Sequence, residues 1–168
     1  TGEATVLYAF DFADQTVDAR GWTAKVAEGV AATGELKQGA FVFDITNPGN
    51  GDGDIKLALS GMAVKAADYK VKVWAKSTAK TYAHIIARDE NAEGWSTFGA
   101  SWNVVIDETI KPLELNFTVG ADGSAELMIN LGKITPNPDN AADTTPENFT
   151  VTIDKIEIYE ITGTEVKN

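Results

Sequence analysis

Apolar and polar residues alternate over short runs along most of the chain, the two-residue period of strands whose opposite sides meet different surroundings. The clearest run is Tyr69 to Ser77. Tyr69, Val71, Val73 and Ala75 form one side of it, and Lys70, Lys72, Trp74 and Lys76 form the other. Similar alternation places Val6 to Phe12, Phe41 to Ile45, Ile55 to Leu59, Leu113 to Val119, Leu127 to Leu131 and Phe149 to Ile153 on strands. Over Thr81 to Asp89, Ala83, Ile85 and Ala87 suit a core, leaving Tyr82, His84, Ile86 and Arg88 opposite. Trp22 opens a short extended piece, and Trp95 to Val105 carries Trp95, Phe98 and Trp102 among small polar residues. The phase slips near Asp154 before Ile156 and Ile158, which predicts a bulge.

Turn chemistry divides these runs. Asp14 to Gly21 reads as a loop, Glu35 to Gly39 as a turn, and Asn47 to Asp54 as the strongest loop signal. Ala121-Asp122-Gly123 predicts a hairpin, and Lys133 to Asn148, with its prolines, a long loop. No segment keeps a helical period, and no linker or internal repeat divides the chain. The expectation is one domain over residues 1–168, an all-β sandwich of about ten strands.

Charge narrows the partners. The 168 residues carry a formal net charge of -11, which repels nucleic acid and anionic membrane. No run is apolar for long enough to cross a membrane, and no secretory-leader pattern follows Thr1. With no cysteine there is no disulfide, thiolate metal site or thiol nucleophile.

Candidate chemistry is thin. His84 is the single histidine, and no serine sits in a Gly-x-Ser-x-Gly elbow. Asp52 and Asp54 resemble part of a calcium loop but lack its bidentate glutamate. Asp89, Glu90 and Glu93 cluster in a loop, where solvated acids are ordinary. What stands out is a set of aromatic residues beside polar ones: Trp74, Trp95, Phe98 and Trp102, with Lys76, His84, Arg88, Asn103 and Asn130 interleaved. Aromatic rings cover the C–H face of a sugar, while amides and charged groups read its hydroxyls. For Trp74, a covering loop or simple exposure among its lysines stays open as an alternative.

Four stretches, in order, resemble carbohydrate-binding modules of family 4 and the related families 9 and 22. They are Asp54-Ile55 through Ala63-Val64 to Tyr69-Lys-Val-Lys-Val-Trp-Ala-Lys, then Leu113-Glu-Leu-Asn-Phe-Thr-Val, Ile129-Asn-Leu-Gly, and Val151-Thr-Ile-Asp-Lys-Ile-Glu-Ile. The resemblance implies a β-sandwich jelly roll of two antiparallel sheets. A cleft on the concave sheet would bind xylan, or alternatively β-glucan, without catalysis. It implies a cleft wall at Trp74, a facing aromatic from Trp95 to Trp102, with Phe98 or Trp95 fitting best, and a polar cleft contact at Asn130, where members of the family often carry histidine; Lys76, His84 and Arg88 join these as candidate contacts from the residue pattern itself. It also implies a structural calcium held by Asp11, Gln38, Phe41 and Asp154, with Ala13 in place of Asp11 if the register shifts by two residues. The expected setting is a secreted or cell-surface protein, with catalytic or further binding domains in the same chain. A small jelly-roll hydrolase or lyase using Asp89 and Glu93, and a ligand-free spacer, are the rival readings.

Overall fold

The computed structural model of the protein describes residues 3–12 and 21–162. Ala13 and nearly all of the loop expected up to Gly21 lie outside them. Eleven strands are present among the described residues: β1 (Glu3–Asp11), β2 (Trp22–Val26), β3 (Ala32–Lys37), β4 (Ala40–Ile45), β5 (Ile55–Val64), β6 (Ala67–Ser77), β7 (Thr81–Asp89), β8 (Thr97–Ile106), β9 (Lys111–Val119), β10 (Gly123–Asn130) and β11 (Phe149–Thr162). One turn of 3-10 helix covers Asp52–Asp54.

The strands form two antiparallel sheets. One has the order β3-β4-β11-β6-β9, with β1 also paired to β11; the other has the order β2-β5-β10-β7-β8. Alternation explains the layering. Tyr69, Val71, Val73 and Ala75 of β6 meet Ala83, Ile85 and Ala87 of β7 in one buried apolar cluster between the sheets. Hydrophobic burial there drives the two inner sides together, and the other side of each strand is left to solvent or to function. The Tyr69 and Phe117 rings stack at 5.0 Å inside that core, and the Tyr69 hydroxyl accepts the Lys65 N–H at 3.0 Å.

The predicted slip at Asp154 is real. β11 pairs with β6 along both its halves, and the register shifts between Ile153 and Lys155. On its other edge β11 pairs first with β4, through Ile153↔Phe41, and then with β1, from Asp11↔Lys155 onward. The bulge marks the change of partner.

Two sequence expectations are corrected. Glu35 to Lys37 is not turn but the end of β3; the turn is only Gln38-Gly39, with φ of 53° and 80°. Two consecutive positive φ values give the tight connection that suits a twisted hairpin. Ala121-Asp122-Gly123 does not close a hairpin. β9 lies in the six-stranded sheet and β10 in the five-stranded one, so the turn carries the chain from one sheet to the other.

Candidate functional site

The outer side of the five-stranded sheet gathers most of the expected ligand-binding residues. Its rows follow from the cross-strand registers. Asn130 of β10 lies between Lys56 of β5 and His84 of β7, and the His84 and Trp102 rings meet edge to face at 4.8 Å. One row along, Ala58, Met128 and Ile86 form a separate buried apolar cluster with Ala100 packed against it. In the next row Glu126 pairs with Arg88, whose guanidinium lies 5.2 Å from the centre of the Trp95 ring. His84 and Arg88 are four residues apart on one strand, roughly 13 Å at strand rise. Trp95 and Trp102, 63% and 59% exposed, thus mark the two ends of a polar-and-apolar strip.

Each element of the strip has a local cause. His84 Nδ1 accepts the N–H of Asn103 at 3.1 Å, where Asn103 takes a φ of 57° and β8 shifts register against β7. An accepting Nδ1 leaves Nε2 as the protonated, donating nitrogen. Burial lowers the His84 pKa below its ordinary value, against an upward pull from the Asp52 charge. Arg88 is held in place by Glu126, through Nε at 2.9 Å and a terminal nitrogen at 2.8 Å on the same carboxylate oxygen. Ser60 Oγ donates to the other oxygen at 3.1 Å, and the Lys25 ammonium lies 3.7 Å from it. Burial acts to raise the Glu126 pKa, but the hydrogen bonds of Arg88 and Ser60 and the charges of Arg88 and Lys25 together hold it below its ordinary value.

Asn130 is 5% exposed and donates from Nδ2 to Asp52 at 2.8 Å. The 47–54 loop reaches it because Gly132 has no side chain: a Cβ there would overlap the Gly51 carbonyl. Asp54 accepts the Asn50 and Gly51 N–H groups at 2.9 and 3.1 Å. Both acids of this loop, which resembled part of a calcium loop, are therefore used in holding its shape.

The structure does not bring all the candidates together. Trp74 and Lys76 project from the six-stranded sheet, where Trp74 faces Lys155 and Pro112 across the ladders and the Lys155 ammonium lies 4.4 Å from its ring centre. They stand on the opposite face of the sandwich from Trp95 and Trp102, so one cleft walled by Trp74 and the β8 aromatics is not formed. Phe98 turns inward: it packs on the main core and its ring lies 6.3 Å from that of Phe117. Glu126, Ser60 and Lys25 were missed by sequence reasoning, because neither their spacing nor their chemistry links them before the sheet is assembled.

The rival catalytic acids are not a pair. Asp89 accepts the Asn91 N–H at 2.9 Å, Glu90 accepts from Gly61 N and Ser124 Oγ, and Glu93 is exposed. A hollow of about 400 Å³ lies elsewhere, between Leu7–Phe10 and Leu59–Met62, without the charged groups that mark the strip.

At the expected calcium position, the bulge at Asp154 lies beside the end of β1, and the Phe12 N–H donates to the Asp154 carbonyl at 3.1 Å. Phe41 is the ladder neighbour of Ile153, and Gln38 occupies the β3–β4 turn. Among the described residues no group of three or more His, Cys, Asp or Glu is placed to hold a metal. The expected donors are two carboxylates and two backbone carbonyls, all hard oxygens of the type calcium takes.

No family model matches the chain, and no curated protein matches it. Solved structures do, at low identity. The chain is similar to the CBM22-1 xylan-binding domain of Paenibacillus barcinonensis Xyn10C, at 13% identity and a TM-score of 0.62, over 98% of this chain and 99% of that one. It is similar to the second N-terminal cellulose-binding domain of Cellulomonas fimi β-1,4-glucanase C, at 14% and 0.62, over 94% of each. It is also similar to BiXyn10A CBM1, at 16% and 0.64, over 92% and 97%. The likeness is one of fold, that of carbohydrate-binding modules.

Proposed function

We propose that this chain is a non-catalytic carbohydrate-binding module that holds a soluble polysaccharide along the outer side of its five-stranded sheet. The observation that carries the reading is the pair of exposed indoles, Trp95 and Trp102, on one face with His84 and Arg88 between them. Each indole offers an apolar plane for a sugar ring; His84 Nε2 and the Arg88 guanidinium offer hydrogen-bond donors for hydroxyls. None of the strip's acids forms the free carboxylate pair that glycoside hydrolysis requires, because Glu126 is engaged by Arg88, Ser60 and Lys25.

Xylan is the favoured ligand and β-glucan the second. Support comes from the sequence resemblance and from solved neighbours of the same fold that carry xylan- and cellulose-binding names. The same support favours a secreted or surface protein in which this module works beside catalytic domains. Among the described residues no helix is long and apolar enough to cross a membrane. Affinity electrophoresis against xylan, mixed-linkage glucan and β-1,3-glucan tests the ligand, and an assay for new reducing ends tests the absence of catalysis. Retardation without new ends is the expected result. New reducing ends, or no retardation in any gel, overturn the reading.

Asp11 and Asp154, with carbonyl oxygens of Gln38 and Phe41, are the residues that would hold a structural calcium at the β1–β11 junction. Bound there, the ion would tie the two strands together and stabilise only the folded state. Calcium-loaded protein should therefore lose several degrees of Tm in excess chelator while keeping its polysaccharide affinity. An unchanged Tm removes the metal from the reading.

A further inference from the structure

Trp74 is left without a role by the strip on the other sheet. It belongs to neither apolar cluster, although it is only partly exposed. Lys76 stands two residues along the same side of β6, roughly 7 Å away at strand rise. There an open hollow of about 300 Å³ is lined by Lys76, Ser77, Thr78, Glu108, Thr150 and Thr152. Ser77 Oγ accepts the Ala79 N–H and Thr150 Oγ1 donates to Asp44, but other groups around the hollow are uncommitted. Among the described residues the Lys76 ammonium, the Glu108 carboxylate and the Thr152 hydroxyl have no hydrogen-bond or ion-pair partner. Thr78 Oγ1 accepts the Thr150 N–H at 2.9 Å, which leaves its own proton to donate.

The mixture of signs decides what fits. An anion entering the hollow meets Glu108, and a cation meets Lys76. A neutral polyhydroxylated ring can donate to the carboxylate, accept from the ammonium, and exchange hydrogen bonds with the threonines. Trp74 does not line the hollow, but it lies two residues from Lys76 on the same side of β6 and offers an apolar plane next to it. The Lys155 ammonium over that indole is a partly exposed cation–π contact, weak enough for a sugar ring to displace.

We propose that Trp74, Lys76, Glu108 and Thr152 form a second carbohydrate-binding site on the back of the module, facing away from Trp95 and Trp102. The ligand class rests on the function proposed above; the site itself rests on the hollow and its unpaired groups. With one site on each outer face, a single module holds two polysaccharide chains, or two stretches of one.

The test uses the whole chain with xylohexaose, cellohexaose and laminarihexaose as probes, read by amide and indole NMR shifts during titration. Four proteins are compared, together with the front variant carrying each back change: the native chain, a front variant with Trp95→Ala and Trp102→Ala, a back variant with Trp74→Ala, and a back variant with the pair Lys76→Ala and Glu108→Ala. The lysine–glutamate pair is solvent-exposed, so it keeps the test open if Trp74→Ala does not fold. The expected result is that the front variant still shows saturable shifts at the Trp74 indole and the Lys76 and Thr152 amides. Adding either back change to it should weaken that residual binding about tenfold or more. Shifts confined to the Trp95–Trp102 face overturn the second site and leave the function standing. Shifts confined to the Trp74 face overturn the front reading and leave this site standing. No shift with any probe overturns both.

Discussion

Replacing Trp102 with alanine separates binding from folding more cleanly than any other change in the strip. The indole is 59% exposed, so with a full tryptophan surface of about 250 Å² some 150 Å² faces solvent. A sugar stacked on one side covers about half of that, roughly 75 Å². At about 25 cal/mol per Å² this is close to 2 kcal/mol, or about a twentyfold loss in affinity. The cost to folding is smaller, because the ring's recorded aromatic contact is its edge-to-face meeting with His84 at 4.8 Å, of order 1 kcal/mol. Titration calorimetry with a xylooligosaccharide, alongside urea unfolding, reads both quantities. A Kd within twofold of the native value would refute the stacking argument. A variant that unfolds would refute the description of Trp102 as a ligand platform rather than a structural residue.

Glu126→Gln removes the buried charge that positions the partly exposed Arg88, and should lower stability by about 1–3 kcal/mol and weaken binding by loosening the support under Trp95; unchanged urea midpoints would count against that role. The Glu126 pKa is depressed in the folded state, so its stabilisation is complete above about pH 4.5, the ordinary value, and is lost as pH falls through the folded value; a pH series of native and Glu126→Gln proteins should converge in acid. His84 is likewise depressed by burial, so the folded state favours the neutral ring: stability is complete above about pH 6.5 and declines as pH drops and the ring protonates. Protonation would also set a second donor against the Asn103 N–H, so affinity should fall in the same window, and a pH-independent Kd between pH 5 and 8 would argue against His84 as a contact.

Much of the fold was legible because burial imposes the strand period directly. Tyr69, Val71, Val73 and Ala75 could be placed inside from their spacing alone, and the slip at Asp154 announced its bulge. β3 was missed because Ala-Thr-Gly-Glu-Leu-Lys has little apolar bulk to show. Gly34 must be small there, since a Cβ would collide with the Phe43 ring and crowd the Ala24 side chain. The turn at Ala121–Gly123 was legible as a turn, yet local chemistry does not say which sheet the next strand joins. The same limit split the candidate site. Alternation says that Trp74 points outward, but a sandwich has two outsides, and only the strand order assigns one. Phe98 was misplaced because the register shifts between β7 and β8 change the phase of alternation, and no residue in Trp95–Val105 signals them. Arg88 and Glu126 are 38 positions apart in sequence, so their pairing exists only once β7 lies beside β10.

The pairing of β1 with β11 has a kinetic meaning. Glu3 lies opposite Thr162 in the ladder, so this edge forms only when almost the entire chain has been brought into a loop. Contacts of such long sequence separation fold slowly, since closure entropy precedes any reward from packing. Of the eleven described strands, β1 is synthesised first and its partner β11 last. Until then Val6, Leu7 and Tyr8, which remain exposed even in the finished protein, lie on an unpaired strand open to the wrong neighbour. The step most exposed to aggregation is therefore the final one, and refolding yield should depend on protein concentration more steeply than native stability would suggest.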